Sequence, residues 1–284
     1  ILPMIRERVE HDISQPELAR DKVLATVVWL LERTLIRVGN DEYARDNKSF
    51  GLTTLRRRHV AVSGDKLRFE FRGKSGIQHT VAVTDRRIAR IVQRCQELPG
   101  QELFQFLDAE GRRQSIDADD INQYLRRATG KPLTAKDFRT WAGTMLAATS
   151  LRELGPGATE KEAKANIVKV IDQVAKKLGN TRAVCRKYYV HPAVLEEYMA
   201  GYVLPPLAPI TPESTRRDAK RPATLRRDEV AVVELLRRKT KGEPLQLARA
   251  VFPDENGGRS NEATRQGGGA GGNGTGSRPA ARSA

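Results

Sequence analysis

The sequence predicts an α+β fold, mostly helical, with one small three-stranded antiparallel sheet. Three observations predict it. Long segments carry apolar residues at a period near 3.6, the period drops to 2 between residues 50 and 83, and glycine, asparagine or proline marks most of the changes. A length of 284 residues accommodates one or two domains with real cores, and 39% hydrophobic content without a long apolar run predicts a chain that stays out of the membrane.

Met4 to Arg20 reads as a helical lead-in, and a chain opening at Ile1 without an initiator methionine leads us to expect a truncated protein. Asp21 to Ile36 is a core-facing helix, with Val23, Val27, Leu31 and Leu35 on one stripe and Leu24 and Val28 beside it. Arg37-Val38-Gly39-Asn40 ends it. Arg37 therefore sits where a buried helix delivers a guanidinium to a glycine-containing turn, suited either to a bidentate phosphate contact or to capping the last helical carbonyls. Three strands follow, around 59–62, 67–71 and 79–83, each alternating apolar and polar residues. Ser63-Gly64-Asp65 makes the first turn. The second, Arg72 to Gly76, flanks Lys74 with two glycines, which allows close backbone approach to a ligand and sends a cation outward; a simply solvated lysine is the alternative.

Helical periodicity returns from Asp85 to Pro99, a turn-rich connection spans Glu102 to Ser115, and Ala118 to Ala128 is a helix ending at Gly130. Thr134 opens a capped helix running towards Leu151, which places Lys136 and Arg139 on one face and Trp141 and Met145 on the other. A KxxR pair is also a common solvated face. Thr159 to Leu178 is the next helix, with Ile167, Ile171, Val174 and Leu178 as its stripe. Gly179-Asn180 stops it, Asn180 or Thr181 caps a short helix from Arg182 to about Val190, and His191-Pro192 ends that helix before a last compact one, Ala193 to Tyr202. Tyr188 and Tyr189 then point about 100° apart. A phenol among several cations can attack a phosphate, because they stabilise the phenolate and the charge developing at phosphorus; two packing rings beside a solvated basic face is the plainer reading.

Beyond Leu204 prolines mark a linker. The expected organisation is a folded domain over 1–204, a proline-containing linker with a short helix around Val232, Leu235 and Leu236 over 205–255, and a disordered Gly/Arg/Ser-rich tail over 256–284. Fifty Lys and Arg against 35 Asp and Glu leave a formal charge of +15, and the sequence pI is about 10.1. Residues 205–284 hold 15 basic and 9 acidic residues, an excess of +6 that leaves +9 on residues 1–204. The folded part is thus basic in its own right, which suits nucleic acid better than an anionic membrane in the absence of an amphipathic anchor. Cys95 and Cys185 are too few for a disulfide framework, and with no secretory leader a reducing, intracellular compartment is expected. No Cys/His metal spacing and no glycine-rich nucleotide loop is present, so neither a metal nor ATP, and no other cofactor, is expected.

Four segments in this order, LIRVGNDEYARDNKSFGLTTLR at 35–56, FRGKSG at 71–76, KDFRTWAGT at 136–144 and LGNTRAVCRKYYVHP at 178–192, resemble the type IB DNA topoisomerases, particularly the poxvirus-like enzymes of bacteria. The resemblance implies the catalytic domain shared by type IB topoisomerases and tyrosine recombinases over 1–204. It also implies an ATP-independent type I topoisomerase acting as a monomer on double-stranded DNA, in the bacterial cytoplasm with the nucleoid. In this family an Arg, a Lys, a second Arg and a His or Asn surround a tyrosine nucleophile. They fall here on Arg37, Lys74, Arg139, Asn180 and Tyr189, with the tyrosine nine residues after Asn180. Lys136 matches a position that assists catalysis and Tyr43 one that touches DNA; Lys48, Arg186 and Lys187 are the further residues expected to contact DNA. Two departures stand out. Many relatives carry histidine where this chain has Asn180, whose amide can donate to a phosphate oxygen but holds no charge. Family members also have an amino-terminal strand-rich domain closing over the duplex, which nothing before Ile1 supplies, so weaker affinity is expected. The rival readings are a tyrosine recombinase, which usually shows HxxR where Lys136 to Arg139 stands, and a non-catalytic DNA-binding module.

Overall fold

The computed structural model describes residues 1–206 and 224–242. Its helices are α1 (Leu2–Ser14), α2 (Arg20–Thr34), α3 (Asp41–Asp46), α4 (Arg86–Glu97), α5 (Ala118–Thr129), α6 (Ala135–Leu154), α7 (Glu160–Leu178), α8 (Arg182–Tyr188), α9 (Pro192–Met199) and α10 (Arg227–Lys241). The strands β1 (Val60–Ser63), β2 (Lys66–Arg72) and β3 (Gln78–Thr84) form an antiparallel sheet in that order, with Val60 opposite Phe69 and Phe69 opposite Val81. A hairpin of β4 (Gln105–Leu107) and β5 (Arg113–Ser115) completes the α+β, mostly helical fold. Among the described residues no helix is long and apolar enough to cross a membrane.

The period-2 reading of the sheet is realised residue by residue. Leu67, Phe69 and Phe71 of β2 are buried while Lys66, Arg68, Glu70 and Arg72 are exposed. Helix starts follow capping chemistry: Asp85 accepts from the amides of Arg87 and Ile88 at 2.9 and 3.2 Å, and the Thr159 hydroxyl accepts from the Glu162 amide at 3.1 Å.

Several expectations shift. The lead-in helix stops at Ser14, because Gln15 precedes Pro16 and is driven to extended geometry, ψ 147°. Helix α2 ends at Thr34, where Leu35 turns left-handed at φ 59°, so Leu35 leaves the stripe predicted for it. From Lys22 to Leu31, α2 is buried all round rather than on one face, because α1, α5, α6 and the sheet surround it. The expected connection from 102 to 115 contains β4 and β5, and a six-residue helix, α3, forms where none was expected. The last compact helix stops at Met199.

Two apolar cores result. The first joins α1, α2, the sheet, α4, β4 and α5 with Ala135 and Phe138 of α6; the second joins Ala147, Ala148 and Leu151 of α6 with α7, α8, α9 and α10. Helix α6, roughly 30 Å long by its rise per residue, runs from one core to the other. The stretch from Arg139 to Thr144 therefore lies at their junction. The helix expected around Val232 and Leu235 is α10, and both side chains enter the second core. Its Glu229 is buried and meets Arg6 of α1 at 2.7 Å, while Arg6 also meets Glu32 of α2 at 2.7 Å. Residues 207–223 and 243–255 of the expected linker and the tail expected from 256 lie outside the described residues.

Candidate active site

A groove of about 620 Å³ opens at the junction of the two cores. Five cations line it, Arg37, Arg72, Lys74, Lys136 and Arg139, together with Tyr43 and Tyr189, and among the described residues no carboxylate does. Solvent-facing basic patches usually interleave acids. A groove that keeps its charge uncompensated attracts a polyanion instead.

Arg37 is set by backbone rather than by side chains. Its carbonyl accepts from the Leu52 amide at 2.9 Å and that of Val38 from the Thr53 amide at 2.7 Å, so residues 37–38 lie against 51–53. Gly51 makes this possible, since a Cβ there would sit 2.5 Å from the Gly39 nitrogen and 2.6 Å from the Arg37 oxygen. The Arg37 Nη2 donates to the Gly179 carbonyl and to Asn180 Oδ1, both at 2.9 Å. Burial pushes its pKa down, and the nearby Tyr189 and Cys185 oppose that shift.

Arg139, only 5% exposed, projects from the first turns of α6 and donates to the carbonyl of Leu35 and, at 2.6 Å, to that of Leu178. These carbonyls end α2 and α7, where the helix dipoles are negative and favour a cation. Burial lowers its pKa, and the neighbouring Arg37 lowers it further. Both arginines are thus held by neutral acceptors, which leaves their charge to the groove. At this site Arg139 Nε and Asn180 Nδ2 are buried without a hydrogen-bond acceptor among the described residues, as are Trp141 Nε1 and Arg152 Nη1 farther along α6. Asn180 spends its oxygen on Arg37 and keeps its NH₂ free. An unmet buried donor costs about 1–3 kcal/mol, a cost that an anion's oxygen would remove.

Tyr189 follows the last residue of α8, and its ring lies under Arg139, whose guanidinium carbon is 5.6 Å from the ring centre. Its backbone is seated directly on α6. A Cβ at Gly143 would lie 2.4 Å from the Tyr189 carbonyl oxygen, and the His191 amide donates to the Thr144 hydroxyl at 3.1 Å. Tyr188 points away and is 52% exposed, with Lys136 Nζ 5.9 Å and Lys187 Nζ 5.2 Å from its ring centre. Lys74 stands exposed in the short turn Lys74–Gly76, where Ser75 has φ 61°.

The structure therefore brings Arg37, Tyr43, Lys74, Lys136, Arg139 and Tyr189 to one groove, with Asn180 bonded to Arg37 behind it. It does not bring Lys48, Arg186 or Lys187 there. Lys48 lines a neighbouring groove of about 580 Å³ with Arg45, Arg56 and Arg58, and the two grooves share Phe50; Arg186 and Lys187 are exposed on α8. Arg72 and Gly143 were not singled out in the sequence. Arg72 is the arginine of FRGKSG, a local signal, whereas the close approach at Gly143 comes from tertiary packing. No group of three or more His, Cys, Asp or Glu among the described residues is placed to hold a metal ion.

The profile of the family described as the eukaryotic DNA topoisomerase I catalytic core matches residues 1–202. A DNA topoisomerase 1B of Acanthamoeba polyphaga mimivirus is 29% identical over 205 residues, covering 69% of this chain and 61% of the viral protein. A DNA topoisomerase 1B of vaccinia virus is 25% identical over 176 residues, 60% of this chain and 52% of that protein, and a DNA topoisomerase 1 of Mycosarcoma maydis is 23% identical over 159 residues, 50% and 15%. The chain thus spans between half and two thirds of the length of these two viral relatives.

Proposed function

The chain belongs to the family of the eukaryotic DNA topoisomerase I catalytic core, and on that premise we propose that it is a type IB topoisomerase that relaxes supercoiled duplex DNA by transient cleavage of one strand. Tyr189 Oη attacks a backbone phosphate, forming an O–P bond as the bond from phosphorus to the 5′-oxygen breaks. The phenolic proton passes to water, the 5′-oxygen takes a proton from Lys74, and a 3′-phosphotyrosyl link remains. The cut strand turns about the intact one, and the 5′-hydroxyl reverses the attack. Torsion in the DNA drives the turning and the phosphotyrosyl bond conserves the energy for resealing, so the cycle runs without ATP or a metal ion.

Arg37, Arg139 Nε and Asn180 Nδ2 donate to the non-bridging oxygens, where charge accumulates in the transition state; preorganised donors of this kind act as an oxyanion site does in acyl transfer. Lys136 assists from the groove wall, and Lys74 is the general acid. The observation that carries this reading is the groove itself, lined by five cations and a partly buried tyrosine and, among the described residues, by no carboxylate, with the Arg139 Nε and Asn180 Nδ2 donors beside it.

Supercoiled plasmid incubated with the protein in chelator and without ATP tests it. Relaxation supports the proposal. Recombination confined to a defined site would reassign the chain to the recombinase chemistry, and a mobility shift without any change of linking number would make it a binding module.

A further inference from the structure

A general acid works only when held close to its target, and displacements near 1 Å can cost about 10²-fold in rate. Lys74 sits in a short exposed turn without a side-chain cap, so something outside the turn has to fix it. That contact comes from β3. His79 pairs with Phe71 across the β2–β3 ladder, and their rings stack with centroids 5.1 Å apart and an interplanar angle of 13°. The same imidazole lies against Gly73, the residue just before Lys74: a Cβ at Gly73 would be 2.6 Å from both Cδ2 and Nε2 of His79. The ring also faces Gly179 across a space that a methyl group would fill. The vacant Cβ position there is 3.6 Å from His79 Cε1, 3.8 Å from Arg37 Nη1 and 3.8 Å from Ile77 Cδ1.

Gly179 is no neutral bystander. It ends α7 at φ 58°, its carbonyl holds Arg37, and it precedes Asn180. His79 thus stands between the Lys74 turn, which it meets at Gly73, and Gly179, whose carbonyl holds Arg37 and which precedes Asn180. Burial, and then Arg37 and Arg139, lower the His79 pKa, which keeps the ring uncharged where it packs between cations.

We propose that His79 is a positioning residue for strand cleavage: its ring, stacked on Phe71 and set against Gly73, holds the Lys74 turn facing Gly179 at the Arg37–Asn180 end of the groove. The proposal rests on the reading of Lys74 as general acid, and the test separates the two. Single-turnover cleavage is measured on duplexes with oxygen or sulfur at the bridging 5′ position, because a thiolate leaves without needing a proton. His79→Ala slows cleavage at oxygen by a factor on the order of 10² and recovers most of that loss at sulfur. His79→Phe, which keeps a flat ring against Phe71 and Gly73, restores most of the rate at oxygen. Gly73→Ala drives a methyl group into the ring from the turn and gives the same slow-at-oxygen, rescued-at-sulfur pattern, so the test holds even if His79→Ala does not fold.

A His79→Ala protein that cleaves oxygen substrate at the parent rate overturns the proposal. So does one equally slow on both substrates while Lys74→Ala recovers at sulfur; the general acid then stands and its positioning by His79 does not. If Lys74→Ala itself stays slow at sulfur, the acid assignment fails and the positioning role falls with it.

Discussion

One methyl group at position 143 sets two effects against each other. Alanine in place of a mid-helix glycine favours the helix by about 1 kcal/mol. Against it, the new Cβ would lie 2.4 Å from the Tyr189 carbonyl oxygen, where an ordinary carbon–oxygen contact is about 3.3 Å. Helix α6 and the α8–α9 connection must therefore part by roughly 0.9 Å, the difference between those two distances. Overpacking of this kind costs about 1–3 kcal/mol, so Gly143→Ala is expected to be destabilising on balance despite its better propensity. The effect on chemistry should be larger. Arg139 rides on α6 one turn before Gly143, so the displacement falls between the tyrosine and the arginine above its ring. A misplacement near 1 Å costs on the order of 10²-fold, the loss expected in the rate of covalent adduct formation on saturating duplex. Duplex affinity, carried by groups elsewhere in the groove, should change little. Urea unfolding, a binding titration and a single-turnover adduct assay on the same preparation check all three. A Gly143→Ala protein as stable as the parent that forms adduct at the parent rate would refute the reasoning.

Asn180→Asp keeps an acceptor for Arg37 but replaces the unmatched NH₂ by an oxygen; adduct formation should fall by about 10²–10³, the usual loss for one oxyanion-site donor, and an unchanged rate would remove Asn180 from the phosphate site. His59 packs against Phe50 with ring centroids 4.5 Å apart and accepts from the Arg56 amide at 3.0 Å, and burial, then Arg58 and Arg56, lower its pKa to about 4. The unfolded chain binds this proton more readily, so the contribution is full above the ordinary value of 6.5 and is lost as the pH falls towards 4. Urea unfolding across that window should show the slope in the parent and a shallower one in His59→Asn; equal slopes would contradict it. Burial, the largest single influence, would raise the Glu229 pKa, but the Arg6 hydrogen bond, the Arg226 amide and the charges of both arginines together hold it below the ordinary value. Glu229→Gln is therefore expected to cost about 1.5–3 kcal/mol at neutral pH, measured as a shift in the urea midpoint, with no loss below the folded-state pKa.

Where the sequence was legible, a local rule and the tertiary environment agreed. Alternation along Leu67, Phe69 and Phe71 named the buried face of β2, and Gly130 and Gly179 marked helix ends that both adopt the left-handed geometry. Helix α3 was missed because six residues show no period, although Asn40 as cap and Asp41-Glu42 in the first turn were a readable start signal. The strands β4 and β5 are three residues each, too short for alternation to register. Helix α2 carries a one-sided stripe in sequence, yet Ala25, Thr26 and Leu30 are buried on its other sides, because burial depends on what surrounds a helix as well as on its pattern. For the candidate site, the motif reading singled out Arg37, Tyr43, Lys74, Lys136, Arg139 and Tyr189, which line the groove, but also Lys48, Arg186 and Lys187, which do not, and it passed over Arg72. It said nothing of Gly143 or His79, whose importance arises from contacts across 46 and 100 residues of chain that no local pattern encodes.

The central claim is that Tyr189 becomes covalently joined to the 3′ side of a broken strand. The direct measurement traps the adduct on a duplex whose 5′-leaving fragment diffuses away, digests the protein, and locates the nucleotide-bearing side chain by fragmentation of the labelled peptide. The account predicts a 3′-phosphate ester on Tyr189 and an unmodified Tyr188, formed in chelator without ATP. A nucleotide on Tyr188, a linkage through the 5′-phosphate, or no adduct under conditions that relax plasmid would contradict it.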